Sequence, residues 1–371
     1  MRILFTGPAA AGHLFPMVPT AQALRAAGHE VLFACGQPLD QLRSAGFPIV
    51  EIGDGRGLRE LFEERLEGKI EYVAPNRSQD EIFDMAASIF AHASRPSVDG
   101  LLAAATDWGA DLIVHDSFQA AGPLVATLLK IPSVINNFGV SAGLPMGDLI
   151  ASHFTDVYER HGLSGPAPST ALNVGPLGGD PDGLPMRYVP YNGGGIVPTE
   201  FLRPADRPRA VVTLGTVLAE LDGVRAVVRL VEAAAEVDAE FLLAVGGADL
   251  APLGTLPANV RGLPWVPLNE LLGRADVLIH HGGSGTMLTA LQAGLPQLLL
   301  PQGADHFINS DAITASGAAL SSASDAVDTP LLDRLLTDPG LRDAARRLRS
   351  ENDALPAPTA LVPTLEALVT R

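Results

Sequence analysis

The sequence predicts an α/β protein built from two doubly wound parallel-sheet domains, and three observations carry that prediction. The chain has 371 residues, 47% of them hydrophobic, too many for one ordinary core and suited to two domains of about 150 to 190 residues each. Two blocks repeat one grammar: a short, continuously apolar, β-rich run, a glycine-bearing turn, an amphipathic segment, then the next run. Between them lies "RYVPYNGGGIVPTEFLRPADRPR" (187–209), whose density of Gly and Pro reads as a linker.

Strands covered by helices on both faces read as unbroken apolar runs. In the first block such runs fall at 2–6, 30–34, 48–52, 111–116 and 132–136, with helical patterns such as 13–28 and 118–130 between them. In the second they fall at 210–215, 240–246, 260–265, 276–281 and 297–301, with helices near 219–236, 284–293, 305–316 and 339–353. The expected division is 1–190, a linker at 191–208, and 209–371, with a last helix over about 357–370 folding back onto the first domain. The segment 53–100 departs from the grammar. Its two helical patterns, 55–69 and 79–96, carry Phe, Met and Ile along one face. They read either as a packed excursion or as the wall of a pocket for an apolar ligand.

Composition excludes several functions. A formal charge of −17, from 42 acidic and 25 basic residues, leaves no basic face to replace counterions on a nucleic acid or to meet an anionic membrane. The single cysteine, Cys35, sits in the apolar run "EVLFACG", so no internal disulfide or Cys-based zinc cluster can form. The N-terminus runs straight into a strand pattern, and no apolar run reaches the roughly 18 residues of a membrane span. A cytoplasmic protein is expected.

In open α/β sheets, ligands bind beyond the carboxyl ends of the strands, so the residues that follow each strand are weighed first. "TGPAAAGHLFP" after the first strand lacks the G-x-G-x-x-G dinucleotide fingerprint. It offers His13 at the start of the first helix, a candidate general base or a plain helix-start histidine. "DLIVHDS" places Asp116 at the end of the fourth strand, on the same crest as His13. There it could orient the imidazole, or cap the helix that follows. "HHGGSGT" (280–286) closes one strand and opens a helix. Its glycines allow close backbone approach, its helix start offers free N–H groups, and His281, Ser284 and Thr286 add donors: a diphosphate cradle, or else a tight turn. Adjacent histidines at a strand end diverge and have no neighbouring carboxylate, which speaks against a metal site. Trp265 lies in a loop after a strand, where it could stack on a base or fill core. Asp305, His306 and Asn309 follow the run 297–301, with Asp305 placed to accept from sugar hydroxyls or to cap the next helix.

These pieces, in this order, resemble the GT-B nucleotide-sugar glycosyltransferases, especially the bacterial branch that decorates antibiotics and other natural products. The resemblance spans essentially the whole chain. It rests on Trp265 and Pro267, the Leu271–Leu272 pair, His281 and Gly283, Gly294 to Pro296, Pro301 and Asp305, "MRYVPYNGGG", "GHLFP" around His13, and Asp116. It implies two Rossmann-like domains facing a cleft, with the acceptor on the first and the donor on the second. It further implies that His13 is the base and Asp116 its acidic partner, and that Trp265, with Val266 beside it, holds the nucleobase. His281, Gly283, Ser284, Gly285 and Thr286 would then hold the diphosphate, Asp305 and His306 would face the sugar, and Thr216 would line the donor from above. Many relatives carry Gln after the sugar-contacting Asp; His306 here favours a deoxysugar over glucose.

The expected reaction is inverting, metal-independent transfer from a dTDP- or UDP-sugar to a hydroxyl of an apolar aglycone, with no cofactor beyond that co-substrate. Phe83, Met85, Phe90, Phe138 and Met146 are the expected acceptor walls. The expected partners are the sugar nucleotide and the small-molecule acceptor, with a homodimer as the candidate assembly and no nucleic acid or membrane. The rival readings are a nucleotide-sugar epimerase on the same scaffold, a catalytically silent helper of a partner transferase, and a nicotinamide oxidoreductase.

Overall fold

A computed structural model describes residues 1–66, 78–203, 205–215, 224, 227–246, 248–303 and 305–370. The chain divides into two compact units, Met1–Arg187 with Leu355–Arg371, and Tyr188–Ala354. Among the described residues the first unit holds a seven-stranded sheet: β1 (Arg2–Thr6), β2 (Glu30–Cys35), β3 (Ile49–Glu51), β4 (Leu112–His115), β5 (Ser133–Asn136), β6 (Thr170–Val174) and β7 (Leu184–Met186). Its order is β3-β2-β1-β4-β5-β6-β7, every neighbour parallel. The second holds six: β8 (Arg209–Thr213), β9 (Glu240–Leu243), β10 (Val260–Gly262), β11 (Val277–His280), β12 (Gln297–Leu299) and β13 (Ala319–Ser321). They run β10-β9-β8-β11-β12-β13, again all parallel.

Each sheet reverses its winding between its first and fourth strands, β1/β4 and β8/β11, and such switch points are where this architecture opens a crevice for ligands. Register sets what emerges there. Thr6 pairs with His115, so Gly7 and Asp116 leave the first sheet side by side. Thr213 pairs with His280, so the turn through Gly215 and the segment from His281 leave the second together.

The expected strands are present, shorter by a residue or more at several ends. Three more, β6, β7 and β13, were not foreseen: "TALNV", "LPM" and "ALS" are too short or too polar to read as apolar runs. Pro185 inside β7 is tolerated because that strand is the sheet edge. Of the helix expected at 219–236, Val228–Ala234 is seen, and most of the remainder of its first half lies outside the described residues. The pattern at 55–69 forms Leu58–Arg65, its end likewise lying beyond them.

The stretch 191–208 counts with the second unit. Phe201 is buried in that unit's core, between the guanidinium groups of Arg209 and Arg261, each 5.4 Å from its ring. The last helix, Pro358–Val369, packs against the helix Val18–Ala26 of the first unit, where Glu366 lies 3.0 Å from Nε2 of His29. Cys35 is buried in β2, and burial pushes its thiol up to about 12, which makes it inert at neutral pH.

One polar device in the first unit was invisible in the sequence. The helix Gly143–Ser152 has no side-chain cap of its own. Asp180, buried and remote in sequence, accepts from the N–H groups of Gly143 and Leu144, both at 3.0 Å, and from Nδ2 of Asn137 at 2.8 Å. A carboxylate at a helix N-terminus is favoured by the exposed N–H groups and the dipole. Asp180→Ala is expected to leave those donors buried and unpaired and to cost about 2–4 kcal/mol; denaturant unfolding at a cost below about 1 kcal/mol would contradict it.

Candidate active site

One candidate cluster is built on the crest of the first sheet. His13 lies in the short helix Ala11–Leu14 after β1, and its Nδ1 stands 3.1 Å from Oδ2 of Asp116. Asp116 is completely buried, and its Oδ1 accepts from the Phe118 N–H at 2.7 Å. The aspartate therefore closes the turn after β4 and holds the imidazole at once; it does not cap the following helix, Ala121–Leu129, which has no side-chain cap. A carboxylate at Nδ1 fixes the proton there and leaves the Nε2 lone pair free to accept another. His13 keeps 17% of its side chain exposed, walled by the rings of Phe90, Phe118 and Phe138 at centroid distances of 5.2, 5.5 and 5.1 Å.

Of the expected acceptor residues, Phe90 and Phe138 thus pack against the His13 ring. Phe83 and Met85 lie half-buried on the same helix as Phe90, and Met146 is in the core, away from any surface. Phe118 was missed, although it is two residues from Asp116. Beyond the ends of β1, β2 and β3 a cavity is lined by Gly7, Gly36, Leu58, Leu61, Phe90 and Gln119 among others. Described residues of the excursion 53–100 thus line this cavity as well as pack, and with Asp54, Arg56, Ser94 and Ser97 beside Leu58, Leu61 and Phe90 the lining is of mixed polarity.

A separate candidate cluster, in the second unit, sits at the β8/β11 switch point. The helix Ser284–Ala293 starts at Gly283 with no side-chain cap, so its first-turn N–H groups open outward. His280 points into the core and locks the loop: its Nε2 is 2.9 Å from Oε1 of Gln297, while its Nδ1 accepts from the Gly282 N–H at 3.1 Å. Both ring nitrogens are satisfied by a neutral imidazole, and burial holds its pKa down at about 3. His281 is also buried and lowered well below 6.5, by burial first and then by the neighbouring His306 and His280. It can offer a neutral N–H to a phosphate, not a charge.

The sign of the resulting pH dependence is fixed. The unfolded chain binds a proton on His280 near pH 6.5, which the folded chain refuses until about pH 3. Stability is therefore complete above pH 6.5 and falls as pH drops through that window, by about 1.4 kcal/mol per pH unit for each such histidine. His281 and His115, the latter buried beside β1, act in the same direction. Thermal unfolding is expected to show Tm falling between pH 6.5 and 5, before most carboxylates titrate; a flat or rising Tm would contradict it.

Around the cradle, Trp265 is 47% exposed, which rules out a core role, and its indole N–H donates to the Gly194 carbonyl at 3.3 Å. Val266 is buried in the core cluster, so its side chain does not face a ligand. Asp305 does not cap the helix His306–Ala315 with its side chain. It accepts from the Ser284 hydroxyl at 2.7 Å and from Nδ2 of Asn309 at 2.7 Å. That hydroxyl, expected to serve the diphosphate, is engaged by a carboxylate. His306 is buried, T-shaped against His281 at 4.8 Å, and does not present its ring to a sugar as expected. Thr216 lies outside the described residues. Among the described residues no group of three or more His, Cys, Asp and Glu is placed to hold a metal ion, and no helix is long and apolar enough to cross a membrane.

Comparison with known proteins identifies the arrangement. Residues 22–179 match the erythromycin biosynthesis protein CIII-like N-terminal domain and residues 228–368 the corresponding C-terminal domain. Over 372 aligned residues the chain is 39% identical to the elloramycin glycosyltransferase ElmGT of Streptomyces olivaceus, covering 96% of this chain and 95% of that one. The chain belongs to the EryCIII-like glycosyltransferases. This glycosyltransferase also superposes on SnogD of Streptomyces nogalater with a TM-score of 0.87 at 40% identity, over 100% of this chain and 99% of the other. A similar structure is the spinosyn rhamnosyltransferase SpnG complexed with thymidine diphosphate, with a TM-score of 0.83 and 30% identity over 99% and 100% of the two chains. The fold is GT-B, with two parallel-sheet α/β domains.

Proposed function

We propose that this glycosyltransferase moves a deoxysugar from a dTDP-sugar to a hydroxyl of a flat, apolar aglycone, with inversion at the anomeric carbon. The observation that carries the reading is a buried carboxylate orienting a part-exposed imidazole inside a ring of three phenylalanines. Such walls suit an aromatic or otherwise apolar acceptor, with His13 Nε2 to meet its hydroxyl. In the reaction the hydroxyl proton passes to Nε2 as the oxygen bonds to the anomeric carbon. The bond from that carbon to the phosphate oxygen breaks, and its electron pair leaves with dTDP. Asp116 stabilises the imidazolium so formed. The growing charge on the diphosphate meets the N–H groups of Ser284, Gly285 and Thr286, the Thr286 hydroxyl and the His281 ring. The exposed indole of Trp265 is a platform for the base, and Asp305 a contact for the sugar. Thymidine diphosphate bound to SpnG favours dTDP over UDP.

Calorimetric titration with dTDP, UDP and NAD, each with and without EDTA, tests the reading. Micromolar binding of dTDP, unchanged by EDTA, is expected. Binding of NAD alone, or diphosphate binding abolished by EDTA, would sink it.

A further inference from the structure

Asn309 is almost fully buried, and its amide reaches three acceptors: Oδ2 of Asp305 at 2.7 Å, Oγ of Ser284 at 2.9 Å and the Gly282 carbonyl at 2.9 Å. The Ser284 hydroxyl in turn donates to the same Oδ2 at 2.7 Å. The two amide hydrogens are shared among these three acceptors, so Oδ2 receives the Ser284 hydroxyl hydrogen and a shared amide hydrogen, and a carboxylate oxygen has two lone-pair sites for them. Oδ2 is thereby closed, and Oδ1 is the oxygen of Asp305 without a hydrogen-bond partner among the described residues. The paired contact by which a carboxylate takes both hydroxyls of a vicinal diol, one on each oxygen, is closed with it.

We propose that Ser284 and Asn309 are positioning residues that turn Asp305 into a reader of one sugar hydroxyl, through Oδ1 alone. The inference rests on the reading of Asp305 as the sugar contact and adds to it a specificity: the site tolerates a sugar lacking one hydroxyl of the diol, because it measures only the other. Ser284 and Asn309 also tie the carboxylate to the glycine loop through the Gly282 carbonyl, so the sugar contact and the diphosphate cradle keep a fixed spacing.

The test is calorimetry of the full-length protein with dTDP, dTDP-glucose and the four dTDP-glucose analogues lacking the hydroxyl at C2, C3, C4 or C6. In the wild type, dTDP-glucose is expected to bind more tightly than dTDP, and loss of the hydroxyl at one carbon only should remove about tenfold of that affinity. Asp305→Ala should abolish the sensitivity. Ser284→Ala and Asn309→Ala should lose the same sugar increment, so that each loses more affinity for dTDP-glucose than for dTDP; Ser284→Thr, which keeps the hydroxyl, should restore the increment.

Three results would each overturn the proposal: equal losses for dTDP and dTDP-glucose in Ser284→Ala, Asp305-dependent sensitivity at two neighbouring carbons, or no sugar increment in the wild type. Failure of dTDP itself to bind the wild type would instead bring down the donor reading, and this proposal with it.

Discussion

Replacing His13 by Ala is expected to lower kcat by about a hundredfold to ten-thousandfold, the usual contribution of a positioned general base, while dTDP affinity stays unchanged. The split follows from location: His13 belongs to the first unit, and the residues proposed to hold the nucleotide belong to the second. Asp116→Asn should be nearly as damaging for a different reason. The carboxylate can only accept at His13 Nδ1, so it holds the proton there. An amide in its place can donate to Nδ1, which would move the proton to Nε2 and leave nothing to accept from the acceptor hydroxyl. Asn would also fail to stabilise the imidazolium. Single-turnover assays with saturating donor separate these effects from binding. Turnover within about tenfold of wild type in His13→Ala would exclude it as the base.

The crest residues were legible because their positions follow from topology. A strand that ends in a switch point must deliver its next residues to the crevice, and His13, Asp116 and the 281–286 loop are such residues. What sequence could not show is direction. Asp305 and His306 are neighbours, but consecutive residues entering a helix point about 100° apart, so one faces the cradle and the other is driven beneath Gly282 and against His281. Met146 and Val266 failed for the same reason, being apolar residues in the right stretch whose side chains turn into the core. Phe118 and Asp180 act through partners distant in the chain, Phe118 edge-on to His13 and Asp180 capping a helix 36 or more residues away, and no local pattern announces such pairs. The linker misled through composition. Its Gly and Pro give turns, yet Phe201 anchors it in the second unit's core.

The glycine loop supplies the second large effect, and two neighbouring substitutions should part stability from binding. A Cβ on Gly283 would lie 2.5 Å from Nε2 of His281. The ring has no room to yield, since a Cβ at Gly215 would already stand 2.6 Å from its Cε1 and His306 closes another side. Gly283→Ala is therefore expected to cost about 1–3 kcal/mol of overpacking strain and, by tilting His281, to weaken dTDP binding at least tenfold. Gly285→Ala is the sharper case. Among the described residues nothing lies within 4 Å of the added methyl, and Gly285 sits in the first turn of the helix Ser284–Ala293 with no positive φ. Alanine there should leave Tm unchanged or slightly raised, because Gly is the poorer helix former by up to about 1 kcal/mol. The proposed cradle puts the diphosphate on that side, within reach of the N–H groups of the first turn, so dTDP affinity is expected to fall by about tenfold. A Gly285→Ala protein that is stable and binds dTDP like wild type would move the diphosphate off this helix start, whereas loss of binding without loss of stability has no explanation except a ligand in that space.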